Sequence, residues 1–120
     1  MSDSSAPRLA DYIEHILEAI NRITRYVDGI DERSFVEDEM IQDAVIRNFE
    51  IIGEAARNVE KRYPEFAREH SEVPWAVAYE MRNVLAHGYF KVDLGVVWQT
   101  IMRDLPRLQI QVSRLRAQLR

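Results

Sequence analysis

A chain of 120 residues that is 47% hydrophobic is long enough for one domain, burying roughly two-thirds of its unfolded surface, and too short for two. It has no cysteine, which excludes disulfide scaffolds, thiolate zinc sites and cysteine nucleophiles and fits a reducing cytoplasm. The net charge of −4 divides unevenly: residues 1–60 hold 6 basic and 14 acidic side chains (−8), residues 61–120 hold 10 and 6 (+4), so the second half is the one suited to a polyanion, unless both are simply solvated helix faces.

The amino-terminal stretch MSDSSAPRLADY has neither the basic nor the apolar region of a targeting signal, and no apolar run approaches the roughly 20 residues of a membrane span. Residues 1–6 are small and polar and are expected to be disordered. From Leu9 the apolar positions Tyr12, Ile13, Ile16, Leu17, Ile20, Ile23, Tyr26 and Val27 keep three-and-four spacing, with Glu14, Glu18 and Arg22 outside it. That predicts an amphipathic helix ending near Gly29, followed by a turn over Asp31 to Ser34. A second long helix then starts either at a Ser34/Glu37 capping box or at Asp38. Its apolar set is Met40, Ile41, Ala44, Val45, Ile46, Phe49, Ile52, Ala55, Ala56 and Val59, which is richer than the first and marks the more central helix.

Gly53 lies inside that helix, where glycine costs about 1 kcal/mol against alanine, so close approach of another helix backbone is the economical reason for it. Glu54 follows directly. It is either a surface carboxylate or a positioned, partly buried one.

Tyr63-Pro64 ends the second helix, and the connection to Pro74 has room for one short helical turn around Glu65 to Arg68. Pro74 suits a first helical turn, with Trp75, Val77, Ala78, Met81, Val84 and Leu85 forming the apolar side of a third helix. Asp93 is a good N-cap for a fourth, with Leu94, Val97, Trp98, Ile101, Met102 and Leu105 inward. Pro106 predicts a kink before a last segment through Leu108, Val112, Leu115 and Leu119. Arg103, Arg107, Arg114, Arg116 and Arg120 collect there, either favouring a helix C-terminus and solubility or forming a polyanion surface. With no strand pattern or repeat, the expectation is a single all-α domain over 1–120, an up-and-down bundle of four to five helices.

Met81 to Phe90, MRNVLAHGYF, is the stretch densest in chemistry. An arginine can hold a phosphate at two points and offset charge in its transition state, and a histidine exchanges a proton near neutrality. With RNA the 2′-hydroxyl supplies an internal nucleophile, so no metal is required, and His15, His70 and His87 have no ligand spacing. Asn83 can orient His87 or donate to substrate. Positions five apart on an ideal helix point about 140° apart, so Arg82 and His87 converge in one of two ways. Either Gly88 ends the helix and turns the histidine back, or a symmetric dimer brings two motifs together; the second is favoured, with the first assisting it. The aromatic residues Tyr79, Tyr89, Phe90 and Trp98 near the motif fit a dimer surface or a common core equally well.

The segment MRNVLAHGYF followed by VD and VW, and preceded by IIGEAA and VPW, resembles the HepT-like family of the HEPN superfamily, whose motif is Arg-x4-His-x-Tyr. The resemblance runs from the first helix to Asp104–Pro106. It implies a homodimeric helical bundle acting as a metal-independent endoribonuclease toxin without a cofactor, with a minimal nucleotidyltransferase as antitoxin. Position by position, the catalytic pair falls on Arg82 and His87, the polar residue after the arginine on Asn83, and the tyrosine adenylylated by the antitoxin on Tyr89. Two other readings compete: a non-catalytic subunit that binds substrate or nucleotide for a nucleotidyltransferase, and a plain helical oligomerisation module.

Overall fold

The computed structural model describes residues 8–86 and 93–119, with the side chains of 81–86 left out. The expected disorder of residues 1–6 therefore concerns a stretch outside the described residues. Four long helical stretches and two six-residue helices account for most of the described chain, and no strand occurs among the described residues, so the fold is all-α as expected.

Helix α1, Leu9–Tyr26, begins where the Asp11 carboxylate accepts the Arg8 backbone N–H at 2.9 Å. Its three-and-four stripe is the buried one: Ile13, Ile16, Ile20 and Ile23 are at most 1% exposed. It ends at a turn closed by Gly29, whose φ of +80° is a left-handed conformation that a side chain would disfavour. Helix α2, Glu32–Glu37, stands where a turn was expected. Asp31 caps it by accepting the Ser34 backbone N–H at 2.9 Å, so Ser34 is a first-turn residue and not the start of a capping box. A helix this short is unstable alone. What holds it is Phe35, fully buried with its ring centre 5.4 Å from that of Trp98, together with the Gln42 amide, which donates to the Phe35 and Val36 carbonyls at 2.9 Å each.

Helix α3, Glu39–Arg62, is capped by Asp38, which accepts the Ile41 N–H at 3.1 Å. It is the central element, packed along its length against α1 on one side and α5 on another. Val45, Phe49, Ile52, Ala56 and Val59 are buried on it, together with Gly53. Met40, expected in its apolar set, is 82% exposed because it lies in the first turn, before the helix reaches its neighbours.

Helix α4, Pro64–Glu69, occupies the connection where one short turn was expected. Helix α5, Trp75–Ala86, starts with the Ala78 N–H bonded to the Pro74 carbonyl at 2.9 Å. Trp75 and Ala78 are buried on it, whereas Val77, expected inward, is 53% exposed on the opposite side.

Helix α6, Leu94–Gln99, is capped by Asp93 as expected, through the Val96 N–H at 3.1 Å. It continues without a break through a π-helical turn, Thr100–Asp104, into α7, Leu105–Gln118. The irregularity expected at Pro106 takes this form: the proline ring crowds the preceding turn, and widening that turn relieves the crowding. The wider turn also alters the register of the stripe. Ile101 and Leu105 stay buried, but Met102, expected inward, is 46% exposed. Beyond it Leu108, Val112 and Leu115 complete the core, and α7 is tied to α1 by Gln109–Asn21 at 2.9 Å and Arg116–Glu14 at 3.1 Å.

Candidate active site

The motif stretch divides at the edge of what is described. Arg82 and Asn83 lie in the last five residues of α5, so the expected helical setting holds for both. His87 and Tyr89, with Gly88 and Phe90, lie outside the described residues, and so does the helix exit expected at Gly88.

Two contacts set the position of α5. Its first residue, Trp75, is buried and donates its indole N–H to the His70 carbonyl at 3.2 Å, which fixes the start of the helix. Four residues on, Tyr79 is half-buried beneath Arg57 of α3, the guanidinium carbon 5.5 Å from the ring centre. Near the end of α3, Glu60 shares a groove with Trp75, Ala76 and Val77. The motif helix is thus seated on α3 through the cation–π contact of Arg57 with Tyr79.

On the other side of α3, a cleft of about 400 Å³ opens between α1 and α3, lined by Tyr12, His15, Arg47, Glu50, Ile51, Glu54, Ala55 and Asn58. Glu50, Glu54 and Asn58 follow one another at intervals of four, so they form one ridge of the helix. Glu54 is exposed on this rim rather than partly buried. Arg47 lies 3.8 Å from the Glu50 carboxylate, and His15 meets Tyr12 edge-on at 6.4 Å between ring centres. The four-residue spacing was readable in the sequence; the wall that α1 contributes was not.

A second groove, about 670 Å³, lies beside Asp93, just after residues 87–92. Arg103 and Arg107 line it together with Glu32, Asp93 and Asp104. Two guanidiniums among three carboxylates make a mixed surface and not a basic one. Arg103 donates to the Gln99 side chain at 3.0 Å, and Arg116 is paired with Glu14, so the described arginines of this region favour the solvated-face reading; Arg120 lies outside the described residues.

The other histidines have structural settings. His70 packs on Phe66 at 4.5 Å between ring centres, with its Nδ1 3.4 Å from the Glu72 carboxylate. Among the described residues no group of three or more His, Asp or Glu side chains is placed to hold a metal ion, and no helix is long and apolar enough to cross a membrane.

Comparison with known proteins adds what the geometry alone does not carry. The family described as "Ribonuclease HepT-like" matches residues 16–115. The "Probable ribonuclease HepT" of Thermococcus cleftensis is 42% identical over 106 residues, covering 88% of this chain and 94% of its own. A "Putative RNase" of Caldanaerobacter subterraneus subsp. tengcongensis is 40% identical over 104 residues, 87% of this chain and 90% of its own. A Methanocaldococcus jannaschii protein named "Gamma-glutamylcyclotransferase and putative RNase" is 39% identical over 108 residues, and the match spans 90% of this chain but only 47% of that longer relative. No solved structure matches significantly.

Proposed function

Because the chain belongs to the HepT-like ribonuclease family, we propose that it is an endoribonuclease that cleaves RNA without a metal ion and serves as the toxin of a toxin–antitoxin pair. The observation that carries this reading is the reach of the family match, residues 16–115, which takes in α3 and the whole of Met81 to Phe90. The working unit in this reading is one helical domain over 1–120 that pairs with a second copy in the cytoplasm, where RNA and ATP are both at hand.

The chemistry follows from the residue types. The ribose 2′-oxygen attacks the adjacent phosphorus and the bond to the 5′-oxygen breaks, leaving a 2′,3′-cyclic phosphate and a 5′-hydroxyl. His87 takes the 2′-proton or supplies one to the departing 5′-oxygen, each within range of an imidazole near neutrality. Arg82 offsets the charge that grows on the phosphoryl oxygens, and a guanidinium does this with two parallel bonds. Asn83 supports the pair with a neutral amide. A homodimer that sets two motifs face to face answers the angular mismatch between positions 82 and 87.

Tyr89 is the site of control. A minimal nucleotidyltransferase antitoxin directs the tyrosine oxygen onto the α-phosphorus of ATP, pyrophosphate leaves, and AMP remains attached two residues from His87. The added bulk and negative charge occupy the place an RNA phosphate needs.

The test is RNA cleavage by the purified chain in chelator. His87→Ala should reduce turnover by about 10²- to 10⁴-fold and Arg82→Ala by about 10²- to 10³-fold, with both variants still folded. Undiminished cleavage by His87→Ala refutes the catalytic assignment. Incubation with the cognate nucleotidyltransferase and ATP should add AMP mass to a peptide containing Tyr89; an active partner that leaves Tyr89 unmodified refutes the control step.

A further inference from the structure

Arg57 differs from the other arginines of the described chain in what holds it. Arg22, Arg33, Arg47 and Arg116 lie 3.1–3.8 Å from carboxylates, and Arg103 is tied to the Gln99 side chain at 3.0 Å. Arg57 is exposed on α3 and makes no ion pair among the described residues. Its guanidinium carbon stands 5.5 Å from the centre of the Tyr79 ring, and among the described residues it is the one arginine held over a ring.

The two kinds of partner have different consequences. A carboxylate neutralises an arginine, whereas an aromatic ring attracts the cation through its quadrupole and leaves the positive charge uncompensated. The ring also restrains a long side chain, so that part of the cost of ordering it is met before an anion arrives. A guanidinium presents five N–H donors in a planar fork that matches a phosphate at two points. The charge also lies beside the motif helix. Tyr79 belongs to α5, and position 82 follows it by three residues, about 4.5 Å of rise further along the same face.

We propose that Arg57 is an RNA-binding residue: its guanidinium, held by the Tyr79 ring, takes the phosphate next to the one that is cleaved. The inference deepens the ribonuclease reading and rests on it. A neighbouring phosphate carries the same charge before and during the reaction, so the contact holds the strand equally in both states and belongs to binding and not to the chemical step.

The probe is a short single-stranded 2′-O-methyl RNA of mixed sequence, which lacks the attacking hydroxyl and stays intact while its affinity is measured against salt. Arg57→Gln should weaken binding about fivefold or more at low salt and reduce the slope of log affinity against log salt by about 0.7. Arg57→Lys should keep the slope. Tyr79→Phe should bind like the wild type, and Tyr79→Leu should bind less tightly with the slope kept, because the charge remains and its support is gone. Arg25→Gln, in the exposed last turn of α1, should leave the slope as it is. In cleavage of ordinary RNA, Arg57→Gln should raise KM with kcat within about twofold of the wild type. A role in packing alone predicts the reverse, a lower Tm and kcat with the slope unchanged, and that result overturns the inference, as does an Arg25→Gln that lowers the slope as much as Arg57→Gln. A wild-type chain that neither binds nor cuts RNA refutes the ribonuclease reading and this inference with it; one that cuts RNA with no dependence on Arg57 overturns this inference alone.

Discussion

Phe35→Ala removes the buried ring of α2. The ring is fully buried, lies between α3 and α6, and faces Trp98 with centroids 5.4 Å apart at 36°. Truncating a buried phenylalanine costs about 3–5 kcal/mol, and the ring pair accounts for about 0.5–1.5 kcal/mol of that. A chain of this length typically has about 6–18 kcal/mol in all, so roughly a sixth or more of the stability goes with one ring. At about 4 °C per kcal/mol near the midpoint, Tm should fall by about 12–20 °C. Urea unfolding followed by far-UV circular dichroism measures the loss, and tryptophan emission reports the Trp98 surroundings. Phe35→Leu, which keeps most of the apolar volume, should lose less than half as much. A loss under about 1 kcal/mol for Phe35→Ala would refute the reasoning, because α2 would then be held chiefly by the Gln42 amide bonds to the Phe35 and Val36 carbonyls and not by its buried ring.

Three further outcomes follow from the caps and surface pairs. Asp38→Ala should cost about 1 kcal/mol by urea titration, since the Ile41 N–H at the start of α3 loses its acceptor. Arg116→Ala should cost no more than about 1 kcal/mol, and less at high salt, because the 3.1 Å pair with Glu14 is about two-fifths exposed on both sides. Asp31 is held below the ordinary carboxylate value of 3.8, first by the Ser34 backbone N–H and then by the Ser34 hydroxyl. A depressed folded value means that its contribution is full above the unfolded pKa and disappears as pH falls through the folded one. The urea midpoint of Asp31→Asn should therefore lie below that of the wild type at neutral pH, and the gap should close in strong acid; a gap that widens there contradicts the cap.

The elements legible in the sequence are those whose spacing is long enough to be unambiguous. Ile13, Ile16, Ile20 and Ile23 could belong only to a helix with one buried face, and they are buried. Helix α2 was not legible because six residues with a single apolar anchor, Phe35, have no period, and DERS reads as a turn until Trp98 arrives from more than sixty residues away. Val77 and Met102 show the complementary limit. Both are apolar at plausible spacing, yet which edge of a stripe is covered depends on where the neighbouring helix lies. Asn48 reverses the case: a polar residue outside the expected apolar set is only 4% exposed, its amide donating to the Ala44 carbonyl at 2.8 Å.

The candidate site obeys the same physics. Arginine, asparagine, histidine and tyrosine within eight residues are visible as chemistry, because local sequence records residue type and spacing. The way α5 lies on α3 is not, since it depends on residues more than twenty positions apart in the chain. Gly53 was the one local sign of that approach, and it marks a close crossing without naming what crosses. The contact that names it is Arg57 over Tyr79.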